Sequence, residues 1–149
     1  MPEKKTLERA RRDKRQGKSP STQAGEFVHE EIEHVREGKH GARSTKQAIA
    51  IGLSKARRAG VKLGTPRTGS RRTKQQARRD ARVGRTGTKP SPGRSRGALK
   101  ALKHEGRGAA SKPALARQAR TAARRRTASA RSASARKAAR TRARTTRKR

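Results

Sequence analysis

The sequence predicts a mostly disordered chain with a small all-α head and a long basic tail. Three observations carry that prediction. The 149 residues hold 45 Lys plus Arg against 10 Asp plus Glu, a formal net charge of +35. There is one Phe and one Met, with no Trp, Tyr or Cys. The acids are also gathered at one end: residues 1–61 carry 15 basic and 8 acidic side chains, and residues 62–149 carry 30 and 2. A polycation with so few large apolar side chains buries little area to set against chain entropy and self-repulsion.

The elements follow in order. Residues 1–20 form a charged segment, with a further N-terminal helix expected over 3–16. Leu7 is its one large apolar residue, and a helix that is polar all round is marginal in water. Lys18-Ser19-Pro20-Ser21 ends it. The head spans residues 21–63 and reads as a helical hairpin, about 22–37 and 45–59. In the first helix, capped by Ser21 or Thr22, Phe27, Val28, Ile32 and Val35 share one face at 100° per residue. Glu26, Glu30, Glu33 and Glu37 form an acidic stripe opposite. That stripe reads as a solvated face, or as a dock for the chain's own basic tail or a basic partner. Gly38 and Gly41 break the helix.

The second helix opens on Ser44 with Gln47 three residues on, a capping-box pattern. Ile49, Leu53 and Ala56 mark its apolar face. Ala48, Gly52 and Ala56 lie four apart, which lets another helix approach. Gly60 followed by Val61 reads as a glycine stop. Residues 64–113 are rich in Gly, Pro, Ser, Thr and Arg, with Thr65-Pro66, Lys89-Pro90, Ser91-Pro92 and Lys112-Pro113 as punctuation. They read as a basic linker with short helical stretches at 72–82 and 98–104. Residues 114–149 are low-complexity Ala, Arg, Ser and Thr, expected to form only transient helices because charge repulsion keeps the tail open.

The stretch GEFVHEEIEHVREGKHGARSTKQAIAIGLSKARRAG, Gly25 to Gly60, resembles a small bacterial domain family of unknown function. Its members share the core E-E-I-x-H, G-K-H-G and K-Q-A-I-A-I-G-L-S-x-A-R-R-A-G. The resemblance covers about residues 4–63 and implies no activity. Residues 64–149 resemble, in composition, the C-terminal tails of linker histones and of bacterial histone-like proteins.

The tail carries the expected function. Each Lys or Arg that meets a phosphate releases a condensed counterion, so a polycation binds nucleic acid with an affinity that falls steeply with salt. The expected contacts are Arg71, Arg72, Arg78, Arg79, Arg117, Arg120, Arg124, Arg125, Arg126, Arg131, Arg136, Lys137, Arg140, Arg142, Arg144, Arg147, Lys148 and Arg149. Lys46, Gln47, Arg57 and Arg58 are candidate contacts of the head, in the arrangement where the helix after Ser44 enters a major groove. The expectation is a histone-like, nucleoid-associated, cytoplasmic protein that binds duplex DNA largely without sequence preference. An RNA-binding, ribosome-associated protein is one alternative. An adaptor whose head holds a protein and whose tail anchors it to nucleic acid is another. The thin core of the head makes a homo-oligomer an expected partner state.

Other classes fit poorly. The N-terminus does not read as a secretory signal. No apolar run approaches the roughly 20 residues of a membrane span, and the tail lacks the apolar face of an interfacial helix. His29-Glu30-Glu31-Ile32-Glu33-His34 differs from H-E-x-x-H because its histidines are five apart and leave one helix face. All four histidines are expected on the surface, with no metal and no cofactor. Gly64-Thr65-Pro66-Arg67-Thr68-Gly69-Ser70 lacks the lysine of a phosphate loop. No enzyme and no small-molecule substrate are expected, since a catalytic site needs a rigid pocket.

Overall fold

The computed structural model describes residues 2–89 and 91–147. The described residues form seven α-helices and one 3-10 turn, with no strand. They are α1 (Lys4–Arg15), α2 (Pro20–Arg36), α3 (Thr45–Arg58), α4 (Arg71–Thr86), α5 (Pro92–Lys103), the 3-10 turn (Gly108–Ala110), α6 (Lys112–Arg124) and α7 (Ala128–Thr146). The chain divides into two compact units, Met1–Ser111 and Lys112–Arg149.

The first unit is built around α2, which packs against α1, α3 and the 3-10 turn, while α3 also packs against α4. Ser19 caps α2, its hydroxyl accepting from Thr22 N, and Pro20 fills the first turn, where a missing N–H costs nothing. The cap therefore lies two to three residues before the expected Ser21 or Thr22. Ala10, Ala24, Phe27 and Ala56 form a buried cluster, with Leu7, Leu53, Val61 and Leu63 packed on it. Ala48, Gly52 and Ala56 are buried along α3. A Cβ at Gly52 would meet Val28 Cα at 2.7 Å, so the two helix backbones touch there. α3 ends with Gly60 at φ +87° and Val61 N donating to Ala56 O, a Schellman-type stop.

Residues 64–113, read as a linker with short helical stretches at 72–82 and 98–104, contain the longer helices α4 and α5. α4 turns inward a narrow strip, Ala77 and Asp80. The Asp80 carboxylate is buried and accepts from Ser54 Oγ at 2.8 Å, Arg58 Nε at 2.8 Å and Gln76 Nε2 at 3.0 Å. Three donors satisfy one buried acid, and the two from α3, Ser54 and Arg58, fix α4 to that helix by polar contacts, which an apolar pattern does not reveal. A Cβ at Gly84 would stand 2.1 Å from the Arg57 carbonyl oxygen, so only glycine allows that approach.

The expectation of a mostly disordered chain is overturned as well: the tail is helical. Ala and Arg are strong helix formers, and the capping is local. Thr127 Oγ1 accepts from Ala130 N to start α7. Arg126 donates to Ala130 O and Ser134 Oγ, and Arg131 to Arg126 O and Ala123 O, which braces the junction between α6 and α7. Low apolar content forbids a core, but it does not forbid helices whose hydrogen bonds close within each segment. Among the described residues, no helix is long and apolar enough to cross a membrane.

Candidate nucleic-acid interface

Residues 112–149 hold 15 Lys plus Arg and no Asp or Glu. Helix geometry sorts these cations into stripes. On α7, Arg136, Arg140 and Arg144, continuing into Arg147, fall within about 80° of the circumference at 100° per residue, and Lys137 flanks them. Steps of four residues separate successive groups by about 6 Å along the axis. Arg131 and Arg142 lie on the opposite side. On α6, Arg117, Arg120 and Arg124 share a face of about 60°, with Leu115, Ala119 and Ala122 opposite. Arg117, Arg120, Arg124, Arg125, Arg126, Arg131, Arg136, Lys137, Arg140, Arg142, Arg144 and Arg147 are all exposed. Lys148 and Arg149 lie outside the described residues.

The first unit carries its own basic face. Arg71, Arg72, Arg78 and Arg79 are exposed on α4, opposite the buried Ala77 and Asp80. Arg82 and Arg85 are exposed as well and join that face. Neither is among the contacts expected from the sequence, although their spacing from Arg78, four and seven residues, matches one helix side.

The candidate head contacts are arranged differently. Lys46 is exposed. Gln47 Oε1 accepts from Arg43 N at 2.7 Å. Arg57 is buried and donates to Leu53 O and Gly64 O. Arg58 is paired with Asp80. Ser44 caps α3, accepting from Gln47 N, and the buried Thr45 donates to Ala109 O at 2.6 Å. The start of α3 thus spends most of its polar groups inside the fold.

The acidic stripe and the histidines also differ from expectation. Glu26 pairs with Arg9, Glu33 with Arg36 and Glu37 with Lys39. Glu30 is buried, and its neighbour Glu31 is completely buried. His29 and His104 are exposed, but His40 is buried and its ring lies edge-on to His34, with centroids 6.0 Å apart. The half-exposed Glu3 holds His34 and Lys39 at 2.9 and 3.1 Å. Those two partners, His34 foremost, hold its carboxyl below the usual value of 4.5. Lys39, between Glu37 and Glu3, is raised in turn. The signal for this cluster is in the sequence: Glu31 and His34 are three apart on one helix face, and the turn at Gly38 returns His40 to them.

No curated protein and no solved structure gives a match to this chain. Residues 3–67, which cover α1 to α3 and the chain just beyond them, match a family of unknown function (DUF6496).

Proposed function

We propose that this chain binds nucleic acid, duplex DNA in preference to RNA, through its phosphates and without reading base sequence, and that it draws DNA segments together. One observation carries the reading: residues 112–149 hold fifteen basic groups and no acid, and those among the described residues stand exposed along α6, α7 and the adjoining turns. A B-form major groove admits an α-helix, and the deep, narrow major groove of duplex RNA does not. Single strands are disfavoured because Phe27, the one aromatic residue, is buried and offers no stacking surface. Membrane attachment is disfavoured because no large apolar residue follows Leu115. The exposed arginines of α4 add a second basic surface, so one chain presents two. The role is binding and compaction, not catalysis, and it belongs with the DNA of a cytoplasmic nucleoid.

The test is a competition at matched salt. A labelled random-sequence duplex is bound to the full chain and displaced with unlabelled duplex DNA or with structured ribosomal RNA. Displacement by DNA at the lower concentration, independent of its sequence, is the expected result. Displacement by RNA at a concentration at least tenfold lower overturns the DNA preference and favours the ribosome-associated alternative.

A further inference from the structure

We propose that Glu31, His34 and His40 form a binding site for one divalent cation of the zinc class. The site lies in the first unit. One carboxylate oxygen and two imidazole nitrogens from these residues lie within 4.8 Å of one another. A tetrahedral zinc site with bonds of about 2.0–2.1 Å needs its ligands roughly 3.3 Å apart. Side-chain movements of about 1 Å would close it.

The buried carboxylate is the strongest argument. Glu31 is fully buried, and neither of its oxygens has an aligned hydrogen-bond partner. Lys55 Nζ stands 2.5 Å from Oε2, and His40 Nε2 stands 3.1 Å from Oε1, both close approaches without hydrogen-bond alignment. Glu30 Oε1, buried with Lys55 Nζ at 3.8 Å and His34 Nε2 at 3.9 Å, also has no hydrogen bond. Glu31 is thus charge-paired with Lys55 and His40 but buried without aligned hydrogen bonds, and a bound ion is one of the ordinary explanations of such a group.

The imidazoles are oriented for the task. His40 Nδ1 lies 3.0 Å from Gly41 O. A carbonyl only accepts, so Nδ1 carries a proton, and Nε2 faces the Glu31 carboxylate at 3.1 Å, where a bound ion would take the place of any proton between them. Metal-bound histidines are commonly held this way by a backbone carbonyl. The carbonyl is itself fixed. Gly41 N donates to Leu102 O at 2.9 Å, and a Cβ on Gly41 would fall 1.8 Å from Glu105 O. His34 Nε2 donates to Glu3 at 2.9 Å, so metal binding requires that proton to leave Nε2, and Glu3 keeps Lys39. The Glu31-x-x-His34 step supplies two ligands from one helix face. His40 ties the following loop to them, so the ion would join α2 to the loop leading into α3.

The experiment uses the full chain, free of tags and nucleic acid, stripped with a chelator and labelled with nitrogen-15 at histidine. One equivalent of zinc chloride should bind per chain. The Nε2 resonances of His34 and His40 should move while those of His29 and His104 stay. Affinity measured by calorimetry should fall at least about tenfold in His40→Gln and in Glu31→Gln. Zinc that leaves the His34 and His40 resonances unmoved, or that binds equally well to a His34→Gln/His40→Gln double variant, overturns the proposal. If the variants do not fold, the spectrum of the unaltered chain decides alone. Resonances that respond to pH but not to zinc would show a proton in the place of the metal, and would equally overturn it.

Discussion

The two units are both helical, yet different forces hold them. In Met1–Ser111 the helices stand on burial: Ala24, Phe27 and Val35 on α2, Ala48 and Ala56 on α3, and a buried Asp80 that fastens α4. In Lys112–Arg149 no described residue of α6 or α7 is buried, and the helices stand on propensity, caps and a braced junction. Helical order and a hydrophobic core are therefore separable. A segment can be ordered locally while keeping every cation at the surface, where phosphates can reach it.

The largest effect that sharpens this contrast is on binding. A chain ending at Ser111 loses 15 of the 45 basic residues. Its affinity for duplex DNA at low salt is expected to fall by about 10³ or more, since six to ten lost phosphate contacts are worth that much. Fluorescence anisotropy measures it, and affinity within tenfold of the full chain would move the interface to α4.

Next in size is the core of the first unit. Phe27→Ala removes its one aromatic residue, with an expected cost of about 3–5 kcal/mol. Denaturant unfolding should lose the cooperative transition of the first unit while circular dichroism retains the helix signal of α6 and α7. Simultaneous loss of both signals would show that the units depend on each other.

A smaller effect tests the α3–α4 contact. Gly84→Ala places a methyl against the Arg57 carbonyl and is expected to cost about 1–3 kcal/mol, read from the denaturation midpoint. Gly64→Ala, with nothing within 4 Å of the added Cβ, is the control and should change stability far less.

The smallest effect is acid sensitivity at the N-terminus. Glu3 has its carboxyl lowered by His34 and Lys39. A depressed acid contributes stability above its unfolded value, and that contribution fades as pH falls through the folded one. The contact between Glu3 and His34 should therefore persist below pH 4.5 and then be lost. The His34 ring shift should report this, and Glu3→Gln should abolish the step.

Much of the first unit was legible because its signals are periodic. Phe27, Ile32 and Val35 recur at helical spacing, Ser44 marks a cap, and Gly60 marks a stop. α4 was not legible as a packed helix because it turns inward Ala77 and Asp80, which leave no apolar stripe to read. Asp80 was nonetheless one of only two acids after residue 61, and an isolated acid amid arginines is a sign of a specific partner. The tail's helices follow from Ala and Arg propensity, which the repulsion expected from its net charge does not cancel. The concentration of basic residues after residue 61 could be read from composition. Its stripes needed the helices, and the Glu31–His34–His40 cluster needed the turn that folds His40 back.

The most direct test of binding through the tail is the salt dependence of the full chain. Its slope of log affinity against log salt is compared with that of a variant carrying Gln at Arg136, Lys137, Arg140, Arg144 and Arg147. Gln keeps the helix propensity and removes five charges. Each lost phosphate contact lowers the slope by about 0.9, so a reduction of roughly 3 to 4.5 is expected, with weaker binding at every salt concentration. An unchanged slope and affinity would contradict the assignment of the interface to this helix.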